Sequence, residues 1–447
     1  MLLLSFVRFC AALHVAHAAT LQVGPDKTYA TPCAAAAHVQ DGDTVAIDAG
    51  VYSGDVCAWT ADRLTLRGVG GYAHLEAAGQ ASGGKAIWVI QGDDTTVESI
   101  EFSGASVPDH NGAGIRQEGT NLTVRHCYFH DNEDGILAGD NPLSDILVTD
   151  SEFVDNGFGD GLSHNLYINH VSSFTFEFSS SHRSYKGHAL KSRAAETFVL
   201  YSRLADDAEG QGSYQIDLPN GGFAVVLGNV IQQGPAAENG GMLTFAEEGA
   251  TNEYQLLYVV NNTFVNDRGS GTFVRNSSEN AAVLSNNLFV GGGTALDGAG
   301  VQHTCLETTD GGFLDAANAD YRLAAGAAAI DAGSDPGDYD GYVLWPAWQM
   351  ATLGAAEARP VVGALDIGAF EFGTAPEDSG DSGGSADSGD SGETGDSAES
   401  APIADGADPD GQEGCGCASA PAATGVAPLL AVVSGLWAGR RRRSATA

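Results

Sequence analysis

A short pattern recurs through the middle of the chain and constrains the fold more than any other feature. Its copies are Leu122-Thr-Val-Arg-His126-Cys127-Tyr128-Phe129, Ile146-Leu-Val-Thr-Asp150-Ser151-Glu152-Phe153 and Thr197-Phe-Val-Leu-Tyr201-Ser202-Arg203-Leu204. Three more are Ala224-Val-Val-Leu-Gly228-Asn229-Val230-Ile231, Leu257-Tyr-Val-Val-Asn261-Asn262-Thr263-Phe264 and Ala282-Val-Leu-Ser-Asn286-Asn287-Leu288-Phe289, with a weaker one at Phe174–Ser181. Within each, apolar residues alternate and then slip phase by one at the Cys/Ser/Asn position, which reads as strand, corner, strand. Spacing runs from 23 residues (Phe174 to Thr197) to 33 (Ala224 to Leu257). A propeller blade needs about 40–45 residues, so the period excludes that architecture.

Each copy continues through Gly/Asn/Asp-rich turns into a third apolar stretch, at Gly114-Ile115, Gly135-Ile136, Asn165-Leu166-Tyr167-Ile168 or Tyr214-Gln-Ile216. Three short strands and three turns per coil, stacked coil on coil, predict an all-β right-handed parallel β-helix solenoid over residues 19–313. At the inward corner, Asn229, Asn262 and Asn287 are placed to hydrogen-bond along the axis. The pattern resembles β-helix proteins of the pectate-lyase type over roughly residues 20–310. Residues 314–373, with Asp320-Tyr-Arg-Leu323, Ala329-Ile-Asp-Ala-Gly333 and Asp366-Ile-Gly-Ala-Phe-Glu371, are similar to the closing segment of such exported proteins. They are expected to cap the last coil, whose open edge would template aggregation.

The ends of the chain imply export. Residues 1–18 read as a signal peptide, with apolar runs closing on Ala16-His17-Ala18. Residues 374–413 hold twelve acids and no base, a linker too polar to fold. In 414–447, Cys415-Gly-Cys417 precedes an apolar run from Ala418 to Gly439 and then Arg440–Arg443. An apolar run of about 20 residues spans a bilayer as a helix. This tail resembles the myxobacterial C-terminal sorting signal, which implies membrane insertion before processing, then display at the cell surface or release; the working form is taken as a monomer.

Net charge is −38, and only twelve of the 58 acids lie in the linker. The folded part is therefore acidic, which excludes nucleic acid as a partner. Export permits disulfides: Cys33 and Cys57 bracket the first predicted turn and are expected to pair, whereas Cys127 falls at an inward corner as a buried thiol.

Against this acidic background, four of the 20 Lys and Arg residues fall between Arg183 and Arg193. If Leu166, Leu190 and Ile216 are equivalent inward rungs, alternation turns their neighbours outward on one wall. His164, His188 and Tyr214 then form one column and Tyr167, Lys191 and Asp217 the next, with Asn169 and Arg193 two residues on. Coils lie about 4.8 Å apart, so these groups reach a single sugar.

The set suits β-elimination from an anionic, uronate-containing polysaccharide, which needs a cation on the carboxylate, a base and an acid. Arg193 and His188 are assigned to the carboxylate, Lys191 to base, with neighbouring cations lowering its proton affinity, and Tyr167 or His164 to acid. Asn169, His182, Tyr185, Lys186, Tyr214 and Asp217 complete a substrate-binding face. Asp217 orients Lys191 or holds calcium. The oxygen-rich turns Asp131–Asp134 and Asp155–Asp160 are the other Ca²⁺ candidates, although turn formation explains them as well. Two further readings stand beside the lyase. One is a non-catalytic glycan-binding adhesin. The other is a glycoside hydrolase drawing its carboxylates from Asp206, Asp207, Glu209, Glu247 or Glu248.

Overall fold

The computed structural model describes residues 18–339, 341–352 and 355–373. Beyond Ala18, the predicted signal peptide lies outside them, as do the linker and the sorting tail. Among the described residues no helix is long and apolar enough to cross a membrane.

The chain winds into a parallel β-solenoid. One wall is a ten-stranded parallel sheet from Cys57–Trp59 to Thr294–Gly298, and the other two walls form a continuous 21-stranded array. The repeat copies stack in the register expected of them: Ile146 pairs with both Leu122 and Phe174, Phe174 with Thr197, Thr197 with Ala224, and Ala224 with Leu257. The phase slip has a local cause. The residue before each inward corner is left-handed, with φ of 50° at His126, 51° at Asp150, 49° at Tyr201 and 49° at Asn261. Such a residue turns the chain without breaking the pairing on either side.

Inside that corner runs a polar ladder. The Ser202 amide donates to Asn229 Oδ1 at 2.8 Å, the Asn229 amide to Asn262 Oδ1 at 2.9 Å and the Asn262 amide to Asn287 Oδ1 at 3.0 Å. Ser179 and Ser151 extend it toward Cys127, whose amide reaches Ser151 Oγ. Each bond satisfies a backbone N–H that the turn removes from the sheet, a group costly to bury unpaired. A second ladder through Asn132, Asn156 and Asn165 occupies another corner. Beside these polar lines the core stacks aromatics along the axis, with Phe102, Phe129 and Phe153 face to face at 4.9 and 4.5 Å.

At the N-terminal end a short helix, Pro32–Ala36, is fastened by the expected Cys33–Cys57 disulfide. Cys127 is a buried free thiol whose pKa burial pushes up to about 12. The C-terminal segment corrects an expectation. Its described residues between 339 and 370 pack along the flank of the solenoid rather than only across its last coil: Trp348 meets Phe178, Tyr342 lies against Phe198 and Phe223, and Tyr339 against Tyr258. Ile367, Ala369 and Phe370 cover Val230, Val265 and Leu288. The reason is apolar demand. The outward positions of these coils carry Phe, Tyr and Val, which need a second layer to leave water.

Candidate active site

The ten-stranded wall carries the site on short strands, Leu166–Ile168, Leu190–Ser192 and Ile216–Leu218, followed by Gly241–Phe245. Leu166, Leu190 and Ile216 are fully buried, so their sequence neighbours point outward. Tyr167 pairs with Lys191, Lys191 with Asp217, and Asp217 with Thr244. Close stacking is built into the turns: a Cβ on Gly187 would sit 1.9 Å from the Ser163 carbonyl oxygen.

Lys191 lies at the centre. Its Nζ is 3.2 Å from Asp217 Oδ2 and 3.0 Å from Glu248 Oε1. Arg193 donates to Tyr167 Oη at 3.1 Å, to Asn220 Oδ1 at 2.5 Å and to Glu248 Oε2 at 2.6 Å. Asp217 is buried and accepts from Thr244 Oγ1 at 2.8 Å as well. The expectation that cations surround Lys191 is thereby corrected, because its ammonium sits between two carboxylates. Glu248 has half-exposed oxygens, one on each cation, and its carboxyl is held below its ordinary range by Arg193 and Lys191 against the cost of burial.

The histidine column forms as expected, with His164 and His188 stacked at 4.6 Å and His188 and Tyr214 at 5.0 Å. Its charge does not. His164 Nδ1 accepts the His188 amide at 3.0 Å and His188 Nδ1 accepts the Tyr214 amide at 3.2 Å, so each ring carries its proton on Nε2. Burial, then the neighbouring His188, Lys191 and Arg193, holds His164 well below the ordinary imidazole value. Burial and Lys191 bring His188 to about 4 against the pull of Asp217 and Glu248. Both rings are neutral at pH 7. His188 therefore offers an N–H rather than the positive charge expected of it, with Nε2 3.5 Å from Asp217, and His164 is no imidazolium acid. Tyr214 stays a phenol, its pKa pushed up to about 12 by burial and Glu247.

This sets a pH dependence. A His188 pKa depressed on folding means that the unfolded chain binds the extra proton between about pH 6.5 and 4. The stability that the neutral ring contributes is complete above 6.5 and lost as pH falls through that window, by about 3 kcal/mol at pH 4. His188→Gln is expected to flatten this part of the pH–stability curve in chemical denaturation. An unchanged slope would refute the neutral assignment.

Other expected members are placed elsewhere. His182 belongs to the 21-stranded array, where it bridges Asp207 at 2.8 Å and Glu152 at 3.0 Å. Those bonds raise its pKa against the opposing effect of burial. Tyr185 and Lys186 lie in the turn before Leu190–Ser192, with the Tyr185 ring over Gly159. Asn169 is level with Arg193 but accepts the following His170 amide. The two acidic turns also spend their oxygens separately. Glu133 accepts from Ser106, Val107 and Gly112, Asp134 from His164, and Asp155 binds Arg183. Of the hydrolase carboxylates, Asp206 is buried against Gln215 and Asp207 pairs with His182 and Arg203, whereas Glu248 joins the site. Asn220 and Thr244 were not assigned from sequence, and Glu248 was named only as a hydrolase carboxylate. Only register could have marked Thr244, the next residue of the column.

Residues 49–177 match the family model described as a right handed beta helix region. A crystal structure of the pectate lyase Pel9A is similar over 80% of this chain and 97% of its own, with TM-score 0.58 and 15% identity. The chain folds as a right-handed parallel β-helix. A structure of an alginate lyase with bound trisaccharide aligns over 62% of this chain and 60% of its own at 13% identity and TM-score 0.30, too low to add to that statement. No curated protein matches the chain. On this β-helix, Lys191, Arg193, Asp217 and Glu248 all lie beyond the matched residues.

Proposed function

We propose that the protein is a polysaccharide lyase that cleaves a uronate-containing glycan by β-elimination, displayed at the cell envelope or released from it. One observation carries this reading: the Lys191–Arg193 pair already grips a carboxylate, that of Glu248, one oxygen on each cation. A uronate carboxylate offers the same charge and fork to the same donors.

When the substrate displaces Glu248, Arg193, its guanidinium positioned by Asn220 Oδ1, holds the substrate carboxylate and draws electron density from the adjacent C–H. The Lys191 ammonium first gives up a proton to solvent; the amine so formed takes the C–H proton, held in place by Asp217, which Thr244 Oγ1 positions in turn. The electron pair forms the new C=C bond as the C–O bond to the leaving sugar breaks. The departing oxygen takes its proton from the Tyr167 hydroxyl, which lies beside Arg193. The His188 Nε2–H supplies a neutral donor beside Asp217. The likeness to a pectate lyase fold supports a glycan as ligand, and the acidic protein confines the attraction of an anionic polymer to this cluster.

The test is incubation with a panel of uronate polymers, read as the ultraviolet absorbance of the unsaturated product. Glu248→Gln, which removes the competing anion but keeps the side-chain shape, is expected to lower KM about tenfold for the polymer that is cleaved. Binding without product on any polymer would favour the adhesin reading. Neither binding nor product would refute the site.

A further inference from the structure

A second cluster lies on another wall, in the first half of the solenoid. The strands Thr65–Glu76, Ile100–Ser103 and Tyr128–His130 stack in parallel, with His74 beside Glu101 and Ser103 beside His130. His130 Nε2 is 3.1 Å from Glu101 Oε1, and His74 Nδ1 is 3.6 Å from the same oxygen. One ligand atom from each of the three residues lies within 4.8 Å of the others. The side chains are only 20–23% exposed.

The outer ring nitrogens are already engaged. His74 Nε2 is 2.7 Å from Ser103 Oγ, and His130 Nδ1 is 2.7 Å from Asp131 Oδ2. Each ring is thus oriented from behind and turns its remaining nitrogen toward Glu101, the arrangement by which outer groups fix metal-binding histidines. The His74–Glu101 separation is too long for a hydrogen bond. Two atoms bound to one tetrahedral ion at about 2.0–2.1 Å stand roughly 3.4 Å apart, which these separations approach.

We propose that His74 Nδ1, Glu101 Oε1 and His130 Nε2 bind a divalent transition-metal ion of the zinc class, with a fourth position open to water. Two imidazoles and one carboxylate suit zinc or cobalt better than calcium or magnesium, which prefer all-oxygen shells. The ion links three successive coils across the sheet, and so staples the solenoid where each coil otherwise holds the next by hydrogen bonds and packing. The metal-free alternative is a hydrogen-bond chain in which His130 bridges Glu101 and Asp131.

The test uses the full chain, stripped with chelator and dialysed against Co²⁺ or Zn²⁺. A single equivalent is expected, with visible d–d bands for cobalt and a raised thermal midpoint. Both are expected to disappear in His74→Gln and His130→Gln at concentrations that saturate the native protein. Asp131→Asn keeps all three ligands, so it tests the site even if a ligand variant misfolds; its affinity is expected to fall ten- to a hundredfold. Undiminished binding in these variants would overturn the proposal. So would near-ultraviolet thiolate-to-cobalt charge transfer, which would put the ion on cysteines, and so would the absence of bound metal in the native protein.

Discussion

Replacing Lys191 with alanine is expected to lower kcat on the cleaved uronate polymer by about a hundred- to ten-thousandfold, the range for loss of a positioned general base. Lys191 is the group in contact with both the buried Asp217 and the exposed Glu248, and it shares Glu248 with Arg193. Its removal also leaves Asp217 buried without its cation, a destabilisation of about 3–5 kcal/mol. The two effects separate in the double variant Lys191→Ala/Asp217→Asn, which removes the orphaned charge. That protein should recover much of the denaturation midpoint while staying inactive. Elimination at a native rate in the single variant would remove Lys191 from the chemistry. Arg193→Lys is a useful companion, because it keeps charge but loses the fork that reaches Tyr167, Asn220 and Glu248 together; its effect should fall mainly on KM.

Arg359→Met is expected to cost about 3–5 kcal/mol of stability, the largest loss from any single substitution on the C-terminal segment. Arg359 and Glu371 are each 2% exposed at the side chain and paired at 3.1 Å. Arg359 also donates to the carbonyls of Gly368, Asp366 and Phe370. Methionine fills a similar volume but removes the Arg359 donor from the Phe370 carbonyl and leaves the Glu371 carboxylate buried without its cation, while Asn261 Nδ2 still reaches the Asp366 and Gly368 carbonyls. The stretch they hold is the one that covers Val230, Val265 and Leu288 and bonds to Asn261 and Asn286 in the coil corners. Early proteolytic cleavage between residues 339 and 372 should therefore accompany the lower midpoint, and Arg359→Met/Glu371→Gln should restore part of it. An unchanged midpoint in the single variant would mean that the flank packing holds without this ion pair.

Much of the site was legible before the structure because it depends on periodicity. Tyr167, Lys191 and Asp217 form a column since their strands share a rung pattern with Leu166, Leu190 and Ile216, and the parallel ladder carries that register from coil to coil. Glu248 was legible only as a candidate hydrolase carboxylate, not as the partner of Lys191 and Arg193. It is 57 residues from Lys191 in sequence, in a turn where charged residues are usually solvated. Only the folding of that turn back over the wall, through the Glu248 amide on Pro219 and the Ala246 amide on Leu218, brings it to the cations. His182 misled for the opposite reason. It is close in sequence to Lys191, but the intervening turn places it on a different wall.

By itself, then, the amino-acid order determined the coil. Alternating apolar residues interrupted by a corner dictate strand, bend and inward face through interactions between near neighbours, and stacking repeats them. The tertiary structure alone decided which carboxylate occupies the Lys191–Arg193 clamp, that the stacked histidines are uncharged, and where the described residues between 314 and 373 run. These are matters of burial and of contacts between distant segments, and turns of variable length leave them open until the whole chain has packed.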